Sequence, residues 1–193
     1  MYTPLLGDVR FHRILQQLDE ETAAAVKAQG CSKGDCGGVL HWARYRRKPR
    51  GLPRSLSGCE CWRLSLCCAR DCCRGRRTPA SLIYLGRRTY LAVAVTVTTA
   101  MRCGLTSARL TRLKELVGVS RQTVRRWQQW WQQRLPQTPF WRSAGGAFCS
   151  PVRTEALPLS LLEQFTGSPE ERLVALLRFL APLTGGQRAA RSR

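Results

Sequence analysis

The chain has 193 residues, enough for one ordinary domain or two small ones sharing a core. Its 32 Lys+Arg against 12 Asp+Glu give a formal net charge of +20, and Lys27, Lys33, Lys48 and Lys114 are the only lysines. Arginine's planar fork suits phosphate oxygens and guanine edges, so the excess points to a polyanionic partner, and a GC-rich coding bias would not also remove the acids. The longest apolar run, residues 90–101, is far short of the ~20 residues a membrane span needs. No basic stretch leads into an apolar segment at the N-terminus, and the expectation is a cytoplasmic protein.

Residues 1–30 read as two short helices. Asp8 caps the first and sets Phe11, Ile14, Leu15 and Leu18 on one face. Asp19 caps the second, which opens with Glu20 and Glu21 and stops at Gly30. Residues 31–80 are rich in Cys, Gly and Arg and lack helical periodicity. Within them, residues 45–51 form a basic loop bounded by Pro and Gly, with Arg46, Arg47, Lys48 and Arg50 as candidate phosphate contacts. The alternation in Trp62-Arg63-Leu64-Ser65-Leu66 predicts a strand.

Residues 86–135 read as helical, with the apolar run as a buried supporting helix. A helix over residues 107–116, a turn at Gly118 and a second helix capped by Ser120 have the pattern of a helix-turn-helix. Leu110, Leu113, Val117, Val119, Val124 and Trp127 take the inward positions. Arg121, Gln122, Thr123, Arg125 and Arg126 are left facing outward. Arginine can chelate guanine and glutamine adenine, so Arg121, Gln122 and Arg125 are candidates for base contacts in double-stranded DNA, with Thr123 and Arg126 nearer the backbone. The alternative is a surface hairpin without a ligand. Trp127 and Trp131, at i, i+4 spacing, are expected to pack against the C-terminal helices.

Residues 136–184 read as a linker, marked by Pro136, Pro139 and Gly145-Gly146, followed by C-terminal helices. Ser168-Pro169-Glu170-Glu171 is a helix start signal, and Leu173, Leu176, Leu177 and Leu180 form an i, i+3, i+4, i+7 stripe. Such a stripe packs into a core or forms a homodimer interface. Residues 185–193 read as a disordered basic tail.

Ten cysteines in a reducing compartment suggest metal ligation rather than disulfides. Cys31-x4-Cys36, followed by two glycines, and Cys68-x4-Cys73 share one spacing, and two such turns make a closed tetrahedral site for structural zinc. Cys67 with Cys72 offers the same spacing, and Cys59-x-Cys61 or His41 could substitute. Cys103 and Cys149 are expected to be ordinary buried thiols.

The run Gly118-Val119-Ser120-Arg121-Gln122-Thr123-Val124-Arg125-Arg126-Trp127 resembles the helix-turn-helix of bacterial transposases and their accessory proteins. A departure is Lys114, which stands where many such motifs have a small residue. The run Cys36-Gly37-Gly38-x-Leu40-His41-x-Ala43-x-Tyr45-x-Arg47-Lys48-Pro49-Arg50-Gly51, with Cys67-Cys68-Ala69-Arg70 and Arg76-Arg77-Thr78-Pro79, is similar to mobile-element proteins that join a zinc ribbon to a helix-turn-helix. That resemblance favours Cys31, Cys36, Cys68 and Cys73 as the ligand set. It implies association with DNA, a nucleoid location in a bacterial cytoplasm, and a role beside a transposase encoded nearby.

The expected fold is therefore mainly α: a tri-helical helix-turn-helix bundle carrying a small zinc-ribbon β element with four cysteine ligands. No catalytic residue is identified. Half of the twelve acids are accounted for by the expected helix starts, no cluster of the kind that two-metal DNA cleavage requires is evident, and neither Tyr84 nor Tyr90 has a His-rich metal motif near it. The competing readings are a compact or truncated transposase and an RNA-binding zinc-ribbon protein.

Overall fold

A computed structural model describes residues 2–49, 51–57, 61–85, 91–100, 111 and 115–188. Helix predominates, joined to a small antiparallel sheet. Helix α1 (Val9–Ala28) starts where the Asp8 carboxylate accepts the amides of Arg10 and Phe11. After it, Gly30 at φ +74° turns the chain away. One helix runs where two were expected, because no Gly or Pro interrupts it and Asp19 acts in tertiary structure instead of capping. That carboxylate is 4% exposed and accepts the Ser81 hydroxyl and, at 2.6 Å, the Leu82 amide.

Helix α2 (Ala92–Ala100) is buried from Ala92 through Thr99 and is the central element of the helical core. It packs against the 3-10 turn Thr3–Leu6, against α3 (Arg121–Gln129) and against α6 (Pro169–Leu180). No helix among the described residues is long and apolar enough to cross a membrane. Helix α3 runs directly into a π-helical turn, Trp130–Arg134, whose Trp131 is fully buried. The expected linker is partly helical: Thr138 caps α4 (Pro139–Ala144), and its proline occupies a first-turn position where no amide is missed.

A short α5 (Leu159–Leu162) packs on α6. Helix α6 opens with the expected capping box between Ser168 and Glu171. Leu173, Leu176, Leu177 and Leu180 are all buried in the chain's own core. The stripe is used within the chain, so these leucines are not free to form a homodimer interface. Residues 186–188 also depart from expectation: Gly186–Arg188 forms an edge strand rather than starting a disordered tail. Its partner is an arginine-rich strand that offers open ladder positions.

The strands are β1 (Leu40–Trp42), β2 (Tyr45–Arg46), β3 (Trp62–Arg63), β4 (Leu66–Cys68), β5 (Arg76–Thr78) and β6 (Gly186–Arg188). The larger sheet has the order β1-β4-β5-β6, and β2 pairs with β3. Leu40 lies opposite Cys68, Trp42 opposite Leu66, and Arg46 opposite Trp62. The register is thus continuous from the sheet into the β2–β3 pair, and the Ala43 amide bonds the Ser65 carbonyl between them. The two form one long ribbon.

The strand expected at residues 62–66 is present, but Arg63 and Ser65 are buried on it. Arg63 donates to the carbonyls of Pro79 and Thr184 at 2.7 and 2.9 Å, which satisfies its charge-bearing group inside the protein.

Candidate metal centre and nucleic-acid interface

Both cysteine pairs are set by turns of the same design. In the first, the Cys36 amide bonds the Lys33 carbonyl, the Cys31 amide bonds Gly38, and Gly37 follows Cys36 at φ +56°. In the second, the Cys73 amide bonds the Arg70 carbonyl, the Cys68 amide bonds Gly75, and Arg74 follows Cys73 at φ +42°. Glycine at position 38 is needed for closure, since a Cβ there would stand 2.7 Å from the Cys68 sulfur.

The turns face one another. Cys31 Sγ lies 3.7 Å from Cys73 Sγ, Cys36 Sγ lies 3.6 Å from Cys68 Sγ, and all four sulfurs fall within 4.8 Å of one another. A tetrahedron of sulfurs at ~2.3 Å from a central ion has edges of about 3.8 Å. The four thiols therefore have the spacing to hold a single metal ion. Among the described residues they are the only group of three or more His, Cys, Asp or Glu side chains with that geometry.

The thiol set left open by spacing alone follows from strand alternation. Successive residues of β4 face opposite ways, so Cys68 joins the cluster while Cys67 sits across the ribbon opposite His41. Cys72 is exposed on the turn, Cys61 is buried in the helical core, Cys149 is exposed rather than buried as expected, and Cys59 and Cys103 lie outside the described residues. The electrostatics is uneven. The Gly38 amide beside Cys36 holds its thiol down at about 7. At Cys68 the Arg70 amide favours the thiolate, but desolvation and the neighbouring thiols together raise it to about 12. Four thiols this close cannot all ionise without a cation among them.

At the other candidate surface, residues 115–117 are helical, Gly118 turns at φ +61°, and the Ser120 hydroxyl accepts the Thr123 amide to start α3. Val117, Val119, Val124 and Trp127 are buried, and Arg121, Gln122, Arg125 and Arg126 are exposed, with Thr123 half-buried beside the cap. Leu110, Leu113 and Lys114, which belong to the expected first helix, lie outside the described residues. The expected basic loop begins as strand β2 at Tyr45–Arg46, paired with β3; Arg46 and Lys48 are exposed, Arg47 is half-buried and donates to the Tyr45 hydroxyl at 3.0 Å, and Arg50 lies outside the described residues.

The loop and α3 are neighbours, which the sequence does not reveal. Gly51, at φ +79°, sits so close that a Cβ would lie 3.1 Å from Ala94, 3.5 Å from Trp127 and 3.9 Å from Val119. An open groove of about 480 Å³ runs between them, lined by Pro49, Leu52, Gly118, Ser120 and Thr123 among others. The basic loop thus flanks the start of α3.

Tyr84 is buried and its phenol is pushed up by burial and by Cys61, while Tyr90 lies outside the described residues. Comparison with protein-family models, curated proteins and solved structures finds no match to this chain.

Proposed function

We propose that this chain is a double-stranded DNA-binding protein in which residues 107–129 form a helix-turn-helix, α3 reads the major groove, and Cys31, Cys36, Cys68 and Cys73 bind structural zinc. The observation that carries the reading is the composition of α3. Its buried side is Val124 and Trp127, while its exposed side offers Arg121, Gln122, Arg125 and Arg126, side chains suited to guanine and adenine edges. The adjoining basic loop, where Arg46, Arg47, Lys48 and Arg50 are assigned to phosphates, supports it, as does the net charge of +20. A donor set of four thiolates without a vacant position suits zinc in a structural role.

The resemblance of residues 118–127 to transposase helix-turn-helix segments supports a role as accessory or regulator of a mobile element. Cutting is assigned to another chain, such as a transposase encoded nearby.

Selection of duplexes from a random pool by the metal-loaded protein tests the reading. A consensus should emerge, and binding should fall steeply with salt as counterions are released. Arg121→Ala should cost about 1–3 kcal/mol and relax specificity at one position, whereas Lys48→Ala should weaken all sequences evenly. No consensus together with a flat salt response would overturn it.

A further inference from the structure

The outer end of the ribbon carries an aromatic and cationic surface, centred on Trp42 and Arg44, that the duplex-binding role does not use. Continuous register puts Trp42, Arg44 and Arg46 on one face with Leu64 and Trp62. At the inner end of that face Leu40, Leu66 and Cys68 are buried, but Trp42 is 47% exposed. The guanidinium groups of Arg44 and Arg46 lie 5.5 and 5.6 Å from the centre of the Trp62 ring. Stacking of this kind fixes a guanidinium by its face and leaves its in-plane edge suited to phosphate oxygens. Opposite the ribbon, α1 presents Glu20, Glu21 and Ala24, and the two elements enclose an open groove of about 590 Å³ that includes Trp42, Arg44 and Leu64. That volume falls in the range of sites that take a small planar ligand.

We propose that this groove binds an unpaired base of a nucleic-acid strand, stacked on Trp42, with Arg44 on a flanking phosphate. The inference rests on the nucleic-acid reading above but concerns a separate surface and an unpaired strand. The pairing of an arginine with an exposed aromatic ring selects the occupant. Arg44 beside the exposed Trp42 indole suits a phosphate next to a splayed, stacked base, the combination used by single-strand binders. Glu20 and Glu21 stand across the groove, where carboxylates can accept hydrogen bonds from base amino groups. The groove therefore favours adenine, cytosine or guanine over thymine or uracil, which have no exocyclic amine.

Fluorescence anisotropy with labelled 12-mers of dA, dC, dT and rA and with a 20-base-pair duplex tests this on the full, metal-loaded chain. Trp42→Ala should weaken dA and dC binding about tenfold, in line with the loss of one stacked base. Trp42→Phe should stay within about twofold, and the duplex should change less than twofold with either variant. Glu20→Gln with Glu21→Gln should narrow the preference for dC over dT. The rA arm reports whether the strand sugar is read.

Unchanged single-strand binding in Trp42→Ala would overturn the proposal, as would equal losses on duplex and single strand. Loss of duplex consensus with single-strand binding and its Trp42 dependence intact would instead remove the helix-turn-helix reading and leave this one standing.

Discussion

Around α6 the buried side chains are large and contiguous: Leu173, Leu176, Leu177 and Leu180 meet Trp131, Leu135, Leu161 and Leu162. Among the described residues the buried set around the four cysteines is Cys31, Leu40, Leu66 and Cys68, with Val26, Cys36 and Cys73 packed at its edge. Burying a leucine contributes about 1.5–3 kcal/mol, so the helical end has ample apolar surface and the cysteine end very little. A cluster that small does not order two turns by burial. The turns can still be held if a metal ion joins their thiolates, because the binding free energy then becomes folding free energy. A bound metal would hold the cysteine end by different physics from the helical end, and the difference can be tested.

If the four thiols hold a metal ion, removing it should have the largest effect. Structural zinc contributes on the order of 10 kcal/mol in small sites. Chelation, or Cys36→Ser, should abolish hydrogen-exchange protection at Cys31, Cys68 and Cys73 while α6 stays protected. Simultaneous loss at both ends would show that they are a single cooperative unit.

The reverse experiment is Leu176→Ala, which should cost about 2–5 kcal/mol through the cavity it leaves. Denaturant midpoints should fall, with metal still retained in the folded protein. Metal release from the native variant would break the separation.

Between the two ends lies Asp19, which ties α1 to the segment after β5. Burial raises its pKa from 3.8 to about 6, against the opposing hydrogen bonds from Ser81 and Leu82. The folded state therefore holds its proton more tightly than the unfolded state. This contribution favours folding most below about pH 4, weakens as pH rises through 6, and is constant above that. Its span is on the order of 3 kcal/mol. Buried His12, whose pKa is lowered by desolvation, acts in the opposite sense below pH 6.5. Comparison with Asp19→Asn isolates the carboxylate: the variant should gain stability relative to the parent between pH 4 and 7 in chemical denaturation. A constant difference across that range would mean that Asp19 titrates normally.

Smallest is Ser168→Ala, which removes one half of the capping box. About 1 kcal/mol should be lost from the helical end, read as a lowered unfolding midpoint, with no change in metal content.

Local signals were read most directly where they involve neighbours in the chain. Ser168 and Glu171 satisfy each other's amides across three residues, and Asp8 and Ser120 cap the helices they precede. Asp19 shows the limit. Followed by two glutamates it has the pattern of a cap, yet its partners are Ser81 and Leu82, more than sixty residues away. Arg63 is similar: alternation suggests an outward side chain, but carbonyls of Pro79 and Thr184 receive it inside. The surface of Trp42, Arg44 and Trp62 was also missed, although the interleaving of aromatics with arginine in residues 41–48 was a visible signal.

By itself the sequence determined the charge, the caps at Asp8, Ser120 and Ser168, the buried apolar helix, the outward arginines of α3 and the paired x4 cysteine spacing. Those depend on composition or on contacts a few residues apart. The tertiary structure decided which thiols converge, because alternation along β4 admits Cys68 and turns Cys67 away. It also decided that the leucine stripe of α6 is spent in the core and that Gly51 brings the basic loop against α3. Each of these depends on how distant segments pack, and no local pattern encodes that.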